Sequence, residues 1–132
     1  KDATNDVSRA TSQKNTIGKE FVQLSGEDGT QIGFLAQGGH GCISVTANIA
    51  PKQMFEFHKA WRDGDIRGAQ SLNERLMPLH IGLFCESSPG PVKYAASLLG
   101  RSSAETRLPL TVISEKSKKI VEDAMRASGV LN

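Results

Sequence analysis

Residues 38–48 read Gly38-Gly39-His40-Gly41-Cys42-Ile43-Ser44-Val45-Thr46-Ala47-Asn48, and this stretch decides the predicted fold. The glycines are typical of a helix end followed by a turn, and the apolar run Cys42 to Val45 predicts a short buried strand. A polar tail then leads to Pro51, which suits the first turn of a new helix. The order helix, turn, strand, loop, helix is the repeating unit of an α/β fold with parallel strands. Because ligands bind at the carboxyl ends of such strands, residues 43–48 are predicted to face a ligand.

A second strand is predicted earlier in the chain, at residues 21–24. It follows a helix over about residues 6–14 and precedes a polar loop at 25–29, in which Gly26 allows a close backbone approach. This loop either faces a ligand or is a plain connection whose acidic residues favour the next helix N-terminus. Thr30 is predicted to cap the next helix, whose predicted inward residues are Ile32, Leu35 and Ala36.

Only helices are predicted after Pro51. The first helix ends at the break Asp63-Gly64-Asp65, and Asp65 can cap the second helix, in which we expect a kink at Pro78. A short helix over 92–99 and a last helix opened by Ser114 complete the chain. Residues at helical spacing mark the predicted inward face of three of these helices. They are Met54, Phe55, His58 and Trp61 in the first helix, and Ile66, Ala69, Leu72, Leu76, Leu79 and Leu83 in the second. In the last helix they are Ile120, Val121, Ala124 and Met125. Since two strands cannot hold a parallel sheet by themselves, we expect the chain to be one part of a larger protein.

The composition is that of an ordinary globular domain and excludes several classes of function. Of the 132 residues, 38% are hydrophobic and 23% are charged, with interspersed charges that sum to +2. No basic patch with interleaved aromatics is present, so we expect no nucleic-acid partner. The apolar runs fall far short of the ~20 residues that span a bilayer, so we expect no membrane partner. The two cysteines form no C-x-x-C pair, which indicates a reducing, cytoplasmic setting with Cys42 as a small core residue.

Few residues suggest chemistry on their own. His40, His58 and His80 are not spaced as metal ligands, so we expect no metal, and no cofactor motif is found. His40 is better explained as a side chain that pins the glycine turn than as a catalytic group. Lys1 by itself is typical of a solvated lysine, although a lysine at a barrel mouth can form a Schiff base with a ketone.

Several stretches together, in order along the chain, resemble the dihydrodipicolinate synthase family (4-hydroxy-tetrahydrodipicolinate synthases). These enzymes are class I aldolases of the N-acetylneuraminate lyase type. The matching stretches are Gly38 to Asn48, Lys1-Asp2-Ala3-Thr4, Leu24-Ser25-Gly26-Glu27-Asp28, Leu76-Met77-Pro78-Leu79-His80, Pro91-Val92-Lys93-Tyr94 and Arg107-Leu108-Pro109-Leu110.

The resemblance implies an α/β fold, the last part of a (β/α)8 TIM barrel with a C-terminal helical extension. The chain would run from the end of strand 6 through helix 8 in residues 1–62, with the extension in 63–132. A whole barrel takes about 250 residues, so the N-terminal part of the barrel is an expected partner. The family resemblance also implies a homotetramer, arranged as a dimer of dimers.

The resemblance further assigns roles to two residues. Lys1 matches the lysine that forms a Schiff base with pyruvate, and Ile43 matches the residue whose main-chain oxygen contacts pyruvate. Gly26 is expected to shape the pocket wall. The second substrate would be L-aspartate 4-semialdehyde, and the product would be 4-hydroxy-tetrahydrodipicolinate in lysine (diaminopimelate) biosynthesis.

The family's catalytic tyrosine, its proton relay and its substrate-binding arginine match no residue of this chain. Tyr94 matches a helix and is not given the catalytic role. The isolated chain is therefore predicted to be inactive.

Two other functions remain open at this stage. One is a sister aldolase that cleaves a sugar acid, although residues 44–48 favour the synthase. The other is a non-catalytic helical interaction module, for which residues 72–83 would form an exposed partner face.

Overall fold

In the computed structural model, which describes residues 1–132, the two strands pair in parallel as predicted. Strand β1 (Leu24–Ser25) lies beside strand β2 (Gly41–Cys42), with Leu24 opposite Gly41 and Ser25 opposite Cys42. On its other side, β1 forms a parallel bridge through Ser25 to Asp2. Three segments of chain therefore run side by side in one direction, which confirms the α/β prediction.

Both strands are shorter than predicted. Phe21 and Val22 lie outside β1 and are 51% and 63% exposed, β2 ends at Cys42 instead of Val45, and the predicted polar tail at residues 46–48 forms a 3₁₀ turn. Cys42 was predicted to be a small core residue and is half-buried in the structure. An apolar residue favours a strand when neighbouring side chains cover it. Phe21 and Val22 have little such cover in this chain, because more than half of each is exposed.

The chain divides into two compact units, Lys1–Ser44 and Val45–Asn132, here called the N-terminal and C-terminal units. This division follows packing within the chain. It does not test the predicted boundary between barrel and extension at 62/63, which stays a prediction. In the N-terminal unit, helix α1 (Ser8–Ile17) precedes β1, and helix α2 (Gln31–Ala36) connects β1 to β2.

Helix α2 buries a different face from the predicted one. Phe34 and Leu35 are buried together with Gln31, whereas Ala36 is exposed. Gln31, Phe34 and Leu35 share one side of the helix, and a polar residue at its start hid this face in the sequence. The turn after the helix then packs on Phe34, because a Cβ at Gly39 would lie 2.2 Å from the ring.

The C-terminal unit is helical. After the 3₁₀ turn Thr46–Asn48 it contains helices α3 (Pro51–Arg62), α4 (Ile66–Gly82), α5 (Gly90–Leu98) and α6 (Glu115–Ala127). The caps predicted at Asp65 and Ser114 are confirmed, since Asp65 accepts from the Gly68 N–H at 2.9 Å and Ser114 from the Ser117 N–H at 3.2 Å. The cap predicted at Thr30 in the N-terminal unit is wrong, because the Thr30 side chain makes no capping hydrogen bond to α2. Helix α4 is continuous through Pro78. None of the helices combines the length and apolar character needed to cross a membrane.

The apolar stripe of α4 forms the middle of the C-terminal core. Leu76, Leu79 and Leu83 are fully buried, so the prediction of an exposed partner face on residues 72–83 is wrong. Near the end of α4, Gly82 lets α6 approach closely, because a Cβ there would lie 2.8 Å from Ala124 Cβ. The buried apolar cluster comprises Ile49, Ala50, Met54, Leu76, Leu79, Leu83, Val92, Ala95, Ile113, Val121, Ala124 and Met125.

Several inward faces were predicted in the wrong place. In α3, Met54 and Phe57 are buried while Phe55 is 60% exposed. Ile66 and Ile120, predicted to be packed, are 42% and 37% exposed. These helices carry apolar residues on more than one face, and only contact with the other helices selects the buried one.

Candidate functional site

The candidate site lies where the three parallel segments end, at Gly26 after β1 and Ile43 after β2. The ladder continues for one step past the strands. The Gly26 N–H donates to the Asp2 carbonyl at 2.7 Å, and the Ile43 N–H donates to the Ser25 carbonyl at 2.8 Å. Since Asp2, Ser25 and Cys42 are aligned, side chains one position away alternate to the other face. Lys1, Gly26 and Ile43 therefore share a face, and the Lys1 side chain extends along it to Gly26 at the carboxyl end of β1.

Gly26 provides the space in which the Lys1 side chain lies. A Cβ at this position would be 2.6 Å from Lys1 Cε and 2.7 Å from Ala3 Cβ. Real Cβ atoms essentially never come so close to another heavy atom, so any larger residue would displace Lys1 or the segment that carries it. The structure thus gives a definite reason for the glycine, which sequence reasoning connected with a close backbone approach and a pocket wall.

Ile43 follows β2, which is the outermost of the three parallel segments on the side away from Lys1. Its side chain is 48% exposed, and β1 lies between it and the Lys1 segment. The structure thereby brings the two sequence-predicted site residues to one edge and one face. Their roles toward a substrate stay predictions.

On the opposite face, Asp2 ties the Lys1 segment to helix α1. Arg9 Nε lies 2.6 Å from Asp2 Oδ2, Gln13 donates to the same oxygen at 3.1 Å, and Thr4 donates to Oδ1 through its N–H and hydroxyl. The hydrogen bond from the Thr4 hydroxyl, followed by that from Arg9, holds the pKa of Asp2 well below its usual range. Sequence reasoning missed this anchor, because Asp2 was considered only as part of a motif.

A cavity of about 340 Å³ opens beside this anchor, between the Lys1 segment and α1. Lys1 lines it, as do Arg9, Ile17 and Phe21, but Ile43 does not. The cavity therefore lies on the Lys1 side of β1, away from Ile43 on the other side of that strand.

Asp28 was also missed as a structural residue of the site. It is fully buried and accepts a hydrogen bond from the Ser44 hydroxyl, and its Oδ1 lies 3.9 Å from Cys42 Sγ. Burial and, to a lesser extent, the charge of Asp28 raise the pKa of Cys42 to about 12, so this thiol stays protonated at neutral pH. The spacing of Cys42 and Ser44, two apart on one side of a strand end, is the signal that could have linked them to the acidic loop.

The three histidines have structural partners. His40 Nδ1 accepts from the Gln23 N–H at 3.1 Å while the His40 N–H donates to the Gln23 carbonyl at 2.9 Å, which confirms that His40 pins the turn. In the C-terminal unit, buried His80 is hydrogen-bonded to Thr46 at 2.8 Å, and His58 packs edge-on against Phe57.

Tyr94 donates to Glu122 at 2.7 Å, which raises the Tyr94 pKa to about 12. No group of three metal-binding side chains is brought together. The expectation that no metal or cofactor is needed stays a prediction.

Comparison with known proteins places this geometry among relatives. A model of the dihydrodipicolinate synthetase family matches residues 1–128. The 4-hydroxy-tetrahydrodipicolinate synthase of Gluconacetobacter diazotrophicus is 52% identical over all of this chain and 45% of its own length. The chain thus spans about half the length of the curated relatives it matches.

Solved structures agree over nearly the whole chain. The chloride-inhibited dihydrodipicolinate synthase of Acinetobacter baumannii, complexed with pyruvate, has a TM-score of 0.92 and 38% identity. A monomeric dihydrodipicolinate synthase variant has a TM-score of 0.91 and 35% identity. Each match covers 99% of this chain and 45% of the relative. These relatives are TIM-barrel enzymes, and the chain corresponds to the C-terminal part of their fold.

Proposed function

The chain belongs to the dihydrodipicolinate synthetase family, and from this premise we propose that it is the C-terminal part of a pyruvate-condensing aldolase. The proposed reaction joins pyruvate to L-aspartate 4-semialdehyde through a Schiff base on Lys1. Its product would be 4-hydroxy-tetrahydrodipicolinate, in the biosynthesis of lysine. The full-length protein means here this chain together with the preceding part of the barrel.

One observation carries the proposal: Lys1, Gly26 and Ile43 share a face of adjacent parallel segments, and the Lys1 side chain reaches Gly26 at the carboxyl end of β1. This edge is where TIM-barrel enzymes place their active sites. A relative of the same fold has been obtained with pyruvate bound, which supports the choice of the first substrate.

The proposed chemistry begins with attack of the neutral Lys1 amine on the keto carbon of pyruvate. Loss of water gives an imine, and loss of a methyl proton from the imine gives an enamine. The cationic imine nitrogen accepts the electron pair left by the methyl proton, and the former methyl carbon of pyruvate thereby becomes nucleophilic in the enamine. The enamine carbon then forms a bond to the aldehyde carbon of the second substrate, whose oxygen takes up a proton, and the Lys1 imine is restored. The amino group of that substrate then displaces the Lys1 amine at the imine carbon, which closes the ring and frees the lysine.

Ile43 and Gly26 are proposed to position the first substrate. The Ile43 main-chain oxygen would contact pyruvate, and a backbone contact explains how an aliphatic residue can belong to a polar site. Gly26 would keep the Lys1 stem in line with that contact, since it is the residue on which Lys1 Cε lies. Such positioning lowers the barrier by holding the reacting atoms close together before reaction.

The acid–base groups of the reaction would come from the preceding part of the barrel. We therefore expect the 132-residue chain alone to be inactive and the full-length protein to be active. A homotetramer remains our proposal for the assembly. The structural relative that is a monomeric variant shows that family membership alone does not decide this point.

Borohydride trapping tests the proposal directly. The full-length protein is incubated with pyruvate and sodium borohydride, and its peptides are analysed by mass spectrometry. We expect one reduced pyruvate on Lys1, no adduct in Lys1→Ala, and a normal adduct in Lys19→Ala, which removes an exposed lysine of the same unit.

An adduct on another lysine, or none in the wild-type protein, would refute the assignment. A trapped adduct combined with turnover of a sugar acid in place of aspartate semialdehyde would instead identify the sister aldolase.

A further inference from the structure

Asp28 is a buried carboxylate that the proposed reaction does not use. It is fully buried, two residues beyond Gly26 in the loop that follows β1. Burying a carboxylate is costly unless hydrogen bonds compensate for the lost water. At least one such bond comes from the Ser44 hydroxyl.

The partners of Asp28 flank a site residue. Cys42 and Ser44 precede and follow Ile43, and both side chains point to Asp28 Oδ1. Because alternate residues of an extended segment point to opposite faces, Asp28 lies on the face opposite to that of Ile43. Asp28 therefore holds the chain on both sides of Ile43 without occupying the site face.

Backbone hydrogen bonds add to the contacts that Asp28 makes on either side of Ile43. The Ile43 N–H donates to the Ser25 carbonyl at 2.8 Å, and the Ser25 hydroxyl in turn bonds the Glu27 backbone at 3.0 Å. The same short loop carries Gly26, on which the Lys1 stem lies. One loop, residues 25–28, therefore contacts both the lysine and the chain around Ile43.

We propose that Asp28, acting through Ser44, is a positioning residue that fixes the Ile43 main-chain oxygen relative to Lys1 for pyruvate binding. This inference rests on the proposed function. Asp28 does not touch the substrate. A carboxylate suits the task because it only accepts hydrogen bonds, and it can take one from each of the two residues that flank Ile43. The raised pKa of Cys42 is consistent with this arrangement, since it keeps a proton on the thiol beside the carboxylate.

The test compares two hydroxyl–carboxylate pairs in the full-length protein. Ser44→Ala and Asp28→Asn disturb the pair formed by half-buried Ser44 and buried Asp28, whereas Ser8→Ala and Asp6→Asn disturb an exposed pair of the same kind, in which Ser8 donates to Asp6 at 2.6 Å. Ser44→Thr keeps the hydroxyl. For each protein we would measure pyruvate affinity by borohydride trapping, the KM of each substrate, and Tm.

We expect Ser44→Ala and Asp28→Asn to weaken pyruvate binding about tenfold, the effect of losing one hydrogen bond to a charged group. The KM for the aldehyde should change much less, and Ser44→Thr should restore pyruvate binding. The exposed-pair variants should behave as wild type.

Unchanged pyruvate affinity in Ser44→Ala and Asp28→Asn would overturn the proposal, as would an equal loss for both substrates that follows Tm alone. If the wild-type protein forms no reducible adduct, the proposed function fails and this inference fails with it. If the wild type forms the adduct and the variants match it, only this inference fails.

Discussion

The two units of the chain differ in the balance of apolar and polar residues that they bury. The C-terminal unit buries a continuous apolar cluster drawn from its helices. The N-terminal unit buries only a few apolar side chains, among them Phe34 and Leu35, and beside them it buries the polar residues Gln23, Ser25, Asp28 and Gln31. The C-terminal unit is held mainly by the hydrophobic effect, and the N-terminal unit largely by directed hydrogen bonds.

The large apolar core and the candidate site therefore lie in different units. Hydrogen bonds fix geometry because they are directional, and those of the N-terminal unit hold Lys1, Gly26 and Ile43 on one face. The same unit leaves Ile17, Phe21 and Val22 more than half exposed. We expect these side chains to be covered by the preceding part of the barrel in the full-length protein.

The largest expected effect is a difference in folding between the two units when each is expressed alone. Residues 45–132 expressed alone should unfold cooperatively, because their core lies within the fragment. Residues 1–44 alone should show no cooperative transition, since so short a segment cannot bury enough apolar surface. Circular dichroism during heating measures both. A cooperative transition in residues 1–44 would show that the polar unit does not need further cover.

Truncating one core leucine should produce the next largest effect. Leu76 is fully buried in α4, so Leu76→Ala should lower the free energy of unfolding of the full-length protein by about 2–5 kcal/mol. The matched control in this unit is Phe55→Ala, which removes a large apolar side chain from the exposed side of α3 and should change stability by no more than about 0.5 kcal/mol. Urea unfolding measures both, and equal effects would contradict the assigned core.

Two glycine substitutions should separate the roles of the units. In Gly82→Ala the new Cβ meets Ala124, and this overpacking should cost about 1–3 kcal/mol of stability while the kcat/KM of the folded protein stays unchanged. In Gly26→Ala the new Cβ meets Lys1 and Ala3, so kcat/KM for pyruvate should fall. Steady-state kinetics with urea unfolding would decide, and full activity in Gly26→Ala would show that Lys1 does not need this space.

The smallest expected effect is a pH dependence from Asp2. Its pKa is lowered in the folded chain, so its stabilising contribution is complete above the unfolded carboxyl pKa of about 3.9 and is lost as pH falls below it. The stability difference between wild type and Asp2→Asn should thus be constant near neutral pH and should shrink on acidification. Thr4→Ala should reduce the same difference, because Thr4 is the main cause of the shift. Urea unfolding across this pH range measures it, and a difference that persists in acid would contradict the assignment.

Much of the C-terminal unit could be predicted from local sequence. Asp65 and Ser114 cap helices as expected, and Pro51 opens α3. Such signals act within one turn of helix, so they are visible in the sequence. The inward faces were less predictable, because Phe55 and Phe57 are equally apolar and only the neighbouring helices decide which is buried.

The candidate site was located from sequence but not explained by it. The glycine turn and the strand at Cys42 located the carboxyl end of a parallel strand, and the family resemblance added Lys1 and Ile43. The partners of Asp28 and Asp2 were not predicted. Each joins residues that are distant in sequence or on opposite sides of a turn. The spacing of Cys42 and Ser44 indicates a shared face, but it does not identify Asp28 as their partner.

By itself, then, the sequence determined the order of helices and parallel strands, the helix caps and the family, because these depend on local residue preferences and on motifs in order. Only the tertiary structure decided why residue 26 is a glycine, which face of each helix is buried, and how the residues on either side of Ile43 are held. The physical reason is that close approach and hydrogen bonding between distant segments arise only when the segments pack together.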